Sequence, residues 1–69
     1  MQNSIAVRRK KLKLSQAEIA ELTKVTRQTI NAIENDKYDP SLALAFKLAT
    51  VLNTKVDTLF DYQPKEESK

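Results

Sequence analysis

Glycine, cysteine, histidine and tryptophan are all missing from these 69 residues. Without cysteine there is no disulfide framework, and without cysteine and histidine together the usual zinc ligands are gone. The lack of histidine also removes the commonest general base, and the lack of glycine rules out the phosphate-cradling GxGxxG and P-loop signatures. Enzymatic chemistry is therefore not expected, nor is a cofactor or a metal. No apolar run approaches the roughly 18 residues of a membrane span, and the first residues are polar and basic where a signal peptide has an apolar core. These features predict a soluble, cytoplasmic chain. A domain this short hides only about 60% of its unfolded surface, so stability must come from compact helix packing, from oligomerisation or from both.

The net charge of +3 is unevenly spread. Residues 1–38 carry eight Lys or Arg against four Asp or Glu, a net of +4, whereas residues 39–69 carry four against five, a net of −1. The basic half is the place to seek an anionic partner. On charge alone, nucleic acid and membrane headgroups serve equally well, so patterning has to decide.

The pattern is helical throughout, and no stretch alternates well enough for a long strand. A first helix is predicted from Ser4 to about Leu12, with Ile5, Arg9 and Leu12 on one face and Arg8 at its edge. Ser15 is a natural N-cap for a second helix over 16–23. Glu18 completes a capping box, and Leu14 and Ile19 form a hydrophobic staple. Thr26 repeats the device with Val25 and Ile30, opening a third helix over 27–35. The corner between these two helices is so short that Lys24 must take the left-handed conformation glycine usually supplies.

Asn35 and Asp36 tolerate positive φ and can end helix three. Tyr38-Asp39-Pro40 then blocks continuation until Ser41, or alternatively Asp39 with Pro40 at N1, caps a fourth helix. The run from Leu42 to Leu52 is predominantly apolar, with Ala43, Lys47 and Thr50 as the only face suited to water; this helix is expected to be the most buried. Val56 to Phe60 reads as a short fifth helix. Met1–Asn3 and Phe60–Gln63 are candidates for a minimal two-stranded ribbon, and residues 63–69 have the composition of a frayed polar tail. The ordered unit is thus one all-α domain over 1–62.

Two capped helices at a tight corner, the second carrying Arg27, Gln28, Asn31 and Asn35, suggest a helix-turn-helix whose second helix enters the major groove. Arg can grip guanine O6 and N7, Gln and Asn can do the same to adenine N6 and N7, and a helix N-terminus presents free N–H groups to a phosphate. Positions 27, 28, 31, 32 and 35 form one stripe, while Ile30, Ile33 and Glu34 turn inward. Arg9 and Glu34 both lie on inward faces, so each needs the other as an ionic partner. Lys10, Lys11 and Lys13 are assigned mainly to solvation and long-range attraction. Phe46, Phe60 and Tyr62 are assigned to the core or a subunit interface.

The segment SQAEIAELTKVTRQTINAIENDKYDPSLALAFKLA resembles the phage repressor and Cro type (Xre-like) helix-turn-helix regulators, in particular their small stand-alone members. The resemblance spans Ile5 to Phe60 and is most specific in SQxEIA, VTRQTINAIEN and YDPSLALAFKLA. It implies a compact five-helix, lambda-repressor-like domain that dimerises and binds operator DNA. Residue by residue, it implies base reading by Arg27 and Gln28, with Asn31 and Ala32 also facing the groove. Gln16, Thr26, Lys37 and Tyr38 match positions that contact the DNA backbone, Gln16 also bracing the start of the recognition helix. An arginine and a glutamate at the positions of Arg9 and Glu34 commonly bridge the first and third helices of such proteins. The sequence departs from the pattern at Lys24 and Asp36, where glycine is usual, and at Arg8 and Thr23, where apolar residues are common.

The leading expectation is a sequence-specific double-stranded-DNA-binding regulator, a repressor working as a homodimer. Its interface is expected in the carboxy-terminal third, at Val56, Leu59, Phe60 and Tyr62, where a small chain has apolar surface in excess. The alternative is an antitoxin or regulatory module whose main business is a protein partner. RNA binding is disfavoured by the scarcity of exposed aromatics for unstacked bases.

Overall fold

A computed structural model describes residues 2–61 of the chain. Five helices follow a first short strand: β1 (Gln2–Asn3), α1 (Ile5–Lys11), α2 (Gln16–Thr23), α3 (Arg27–Glu34), α4 (Leu42–Val51) and α5 (Val56–Leu59), closed by β2 (Phe60–Asp61). The strands pair antiparallel, Gln2 opposite Asp61 and Asn3 opposite Phe60. Met1, Tyr62 and the tail 63–69 lie outside the described residues.

Local capping chemistry sets the helix starts. Ser15 Oγ accepts the Glu18 amide at 3.0 Å while the Ser15 amide donates to Glu18 Oε1 at 2.7 Å, satisfying two otherwise orphaned N–H groups. Thr26 and Ser41 accept from the amides of Thr29 and Leu44, both at 3.2 Å. Ser41, not Asp39, is therefore the cap of α4. The α1 start differs: Ser4 makes no side-chain cap bond, and its Oγ instead accepts from Arg8 Nε at 2.9 Å. That contact keeps Arg8 at the edge of the helix, where an apolar side chain is common in the family it resembles.

In this glycine-free chain, α1 to α4 all end by one device. Lys13, Lys24, Asp36 and Asn53 take left-handed conformations with φ of 60°, 62°, 61° and 59°. In each case the following amide reaches back to a carbonyl five residues earlier, as from Val25 to Ala20 at 3.0 Å and from Lys37 to Ala32 at 2.9 Å. These are Schellman closures, which glycine usually supplies because a Cβ crowds the backbone at positive φ. Lys24 makes the helical corner as its position requires. At the end of α3 the left-handed residue is Asp36, while Asn35 keeps φ −94°.

The core is aliphatic. Ile5, Ile19, Ile30, Ile33, Leu48 and Leu59 are essentially inaccessible, and Leu14, Val25, Val51 and Val56 pack against them from the margin. Both staple pairs, Leu14 with Ile19 and Val25 with Ile30, thus bridge the helix entries to this core. Thr23 is also fully buried, and its hydroxyl donates to the Ile19 carbonyl at 2.8 Å, so a polar residue stands at an apolar position without an unmet hydrogen bond.

Burial bears on two expectations. Leu59 and Phe60 are 1% and 9% exposed, so their side chains complete the core of one molecule and leave little surface for a second. The reason is the terminal ribbon: β2 turns back beside β1, and the Ser4 amide donates to the Leu59 carbonyl at 2.9 Å, drawing this segment under α1. Second, the water-facing side of α4 is wider than Ala43, Lys47 and Thr50, although α4 holds more buried residues than any other described helix. Its inner stripe is Leu44, Ala45, Leu48 and Ala49, while Leu42 and Phe46 stand 71% and 56% exposed beside Lys47. A five-helix domain supplies neighbours for only one side of α4, so the outer apolar residues stay in water.

Candidate nucleic-acid interface

The capped entry of α3 brings its first turn beside the first turn of α2. Gln16, Arg27, Gln28 and Asn31 line one groove there. Arg27, Gln28 and Asn31 are exposed, and Gln16 is half-buried. Ala32 is half-buried next to this stripe, leaving a methyl-sized contact. The amphipathic logic is strict: Ile30 and Ile33 are locked in the core, and that anchoring turns positions 27, 28 and 31 outward.

Behind the groove lies a continuous chain of polar contacts. Arg9 Nε donates to Glu34 Oε2 at 2.7 Å and Arg9 Nη2 to Glu34 Oε1 at 3.2 Å, a bidentate pair whose side chains are 12% and 6% exposed. Arg9 Nη1 additionally donates to the Leu14 carbonyl at 3.1 Å, tying α1 to the entry of α2. Glu34 Oε1 also accepts from Gln16 Nε2 at 3.0 Å. Gln16 Oε1 in turn receives Arg27 Nε at 3.4 Å and Asn31 Nδ2 at 3.5 Å. Asn35 Nδ2 donates to the carbonyl and the side-chain oxygen of Asn31, at 2.9 Å and 3.1 Å.

The other candidate residues fall on either side of this cluster. The Thr26 hydroxyl is committed to capping α3 and lies 3.0 Å from the Thr29 hydroxyl. Lys37 and Tyr38 are exposed on the loop after α3, which Asn3 anchors by donating to the Ile33 carbonyl at 2.8 Å and to Asp36 Oδ1 at 3.2 Å. Tyr38, 53% exposed, is available on the surface and does not pack beneath the loop. Sequence reasoning paired Glu34 with Arg9 alone and left out its bond to Gln16. Gln16 opens α2 and Glu34 closes α3, so nothing in their local sequence marks the contact.

A polar stripe on the second helix of a tight, capped corner, backed by an ion pair from the first helix, is the anatomy of a helix-turn-helix. The family described as Helix-turn-helix matches residues 5–59 of the chain. This protein belongs to that family, as a small member of the Xre/Cro type. The helix-turn-helix protein is 44% identical over 66 residues to an HTH-type transcriptional regulator of Methanocaldococcus jannaschii, covering 96% of this chain and 100% of the relative. It is 50% identical over 52 residues, 75% of each chain, to one of Methanothermobacter thermautotrophicus. It is 38% identical over 60 residues to one of Bacillus subtilis, covering 87% of this chain and 91% of the relative. Among the described residues, no helix of this family member is long and apolar enough to cross a membrane.

Proposed function

We propose that this helix-turn-helix protein is a sequence-specific regulator of transcription that binds double-stranded DNA, a repressor acting by occupancy of its operator. The observation that carries this reading is the groove at the start of α3, where Arg27, Gln28 and Asn31 present major-groove hydrogen-bonding chemistry around Gln16. Arg27 and Gln28 read bases from the first turn, with Asn31 and Ala32 one turn further along. Gln16, Thr26, Lys37 and Tyr38 contact the phosphates and set the register, with no sequence information of their own.

The working species is a homodimer on a pseudo-palindrome, with recognition helices about 34–36 Å apart. Since Leu59 and Phe60 belong to the core, the two-fold contact is placed on the outer apolar face of α4 and α5. Phe46 stands there between two hollows, one bordered by Leu22 and Val51 and the other by Val56. A projecting ring beside a hollow on the same face is self-complementary about a two-fold axis. The deciding experiment is in vitro selection of bound DNA from a random pool, followed by sequencing. A symmetric consensus that changes with Arg27→Ala or Gln28→Ala supports the reading, and an unchanged consensus with both substitutions refutes it.

A further inference from the structure

Glu34 does not line the groove, and its side chain is 6% exposed, yet it accepts from Gln16, which touches two groove-facing side chains. We propose that Glu34 is a positioning residue for base reading: it dictates which end of the Gln16 carboxamide faces inward, and thereby where Arg27 and Asn31 are held before DNA arrives. This rests on the reading of Arg27 as a base contact.

The chemistry leaves one arrangement. A carboxylate can only accept hydrogen bonds, and that of Glu34 already takes two from the fork of Arg9, at 2.7 Å and 3.2 Å. Only the NH2 end of Gln16 can therefore face it, at 3.0 Å; the reverse orientation would set two acceptors against each other. The carbonyl oxygen of Gln16 then faces α3 as a single acceptor shared by Arg27 Nε at 3.4 Å and Asn31 Nδ2 at 3.5 Å, and the second N–H of its NH2 end is left for a phosphate. Both bonds are long, so a base edge can replace them easily. Arg27 is tethered through Nε alone, which leaves its two terminal nitrogens free of that tether for a guanine edge. The carboxylate thus restricts the rotamers of two groove residues from behind and lessens the ordering they must undergo on binding.

The test measures the affinity ratio between the best operator and the operator altered at the base pair whose preference is relaxed by Arg27→Ala. Binding is measured below the melting transition of each variant. Glu34→Gln can face Gln16 with either end and no longer enforces the orientation; Gln16→Met removes the shared acceptor. Each should lower the ratio by about three- to tenfold, a fraction of the discrimination a good bidentate contact provides, and the double variant should be no worse than either single one. Arg9→Lys keeps a positive charge beside Glu34 but loses the fork, so it should melt earlier and keep the wild-type ratio.

A wild-type ratio in Glu34→Gln, or an equal loss in Arg9→Lys, overturns the proposal while leaving base reading by Arg27 intact. Should Glu34→Gln not fold, Gln16→Met decides by the same ratio. If Arg27→Ala leaves every preference unchanged, base reading and the positioning role fall together.

Discussion

Arg9 grips Glu34 through two hydrogen bonds, of 2.7 Å and 3.2 Å, across 25 residues of sequence, and so joins the first helix to the end of the recognition helix. With side chains 12% and 6% exposed, neither charge has bulk water as a substitute partner. Removing one side alone strands the other. Arg9→Met should therefore destabilise the fold by about 3–5 kcal/mol, whereas Arg9→Met with Glu34→Leu should recover most of the loss. Urea denaturation of both variants against wild type checks this, and equal losses would show that packing, not charge, governs the site.

The left-handed closures predict a stabilising substitution. Lys24 holds φ 62°, ψ 41°, a conformation that costs an L-residue with a Cβ about 1–2 kcal/mol. Lys24→Gly should raise stability by about 0.5–1 kcal/mol after the added chain entropy of glycine is subtracted. Asn53→Gly should gain less, because asparagine tolerates this region better. Lys24→Val should destabilise. Thermal melting of the three variants reads the order directly.

Base reading and backbone contact should separate on DNA. Arg27→Ala should cost about 1–3 kcal/mol on the best operator and relax preference at one base pair. Lys37→Ala should weaken all sequences alike and reduce the salt slope of binding by about one. Titrations over a range of salt concentrations with matched and mismatched duplexes distinguish the two; a Lys37 variant with altered preference would reassign the loop.

Core and interface should separate in solution. Phe46 is 56% exposed and Leu59 is 1% exposed. Phe46→Glu should leave helicity near wild type while lowering the sedimenting mass to that of a monomer, with a Tm that no longer rises with protein concentration. Leu59→Ala should instead cost about 2–5 kcal/mol of folding stability. A wild-type chain that sediments as a monomer at tens of micromolar, and binds a half-site as tightly as the palindrome, would end the dimer proposal without touching the groove.

The parts of the fold that were legible in the sequence are those decided within a few residues. Ser15 with Glu18, and Thr26 with its staple, mark helix starts because the cap and the amide it satisfies lie three positions apart. Lys24 was legible because the corner left no other residue to turn. Lys13 was not, since a lysine carries no turn signal and the closure depends on the whole helix end being packed. The exposure of Leu42 and Phe46 was hidden for a different reason: an apolar run shows which residues favour burial, not how many neighbours exist to bury them. The outward-facing polar stripe of α3 followed from its 3.6-residue period. The Glu34–Gln16 bond, between residues 18 apart in sequence, depended on how two helices meet.

The ribbon of Gln2–Asn3 with Phe60–Asp61 also has a bearing on biosynthesis. The Ser4 amide waits for the carbonyl of Leu59, 55 positions later in the chain. A ribosome-bound fragment that stops after α4 lacks both this seam and the Leu59 and Phe60 side chains that seal the core beneath α1. Closing so large a loop adds only slowly to the entropic cost, so the seam can form readily once its last residues emerge. Until then the helix-turn-helix is open at its base, and the finished domain is made by its final few residues meeting its first.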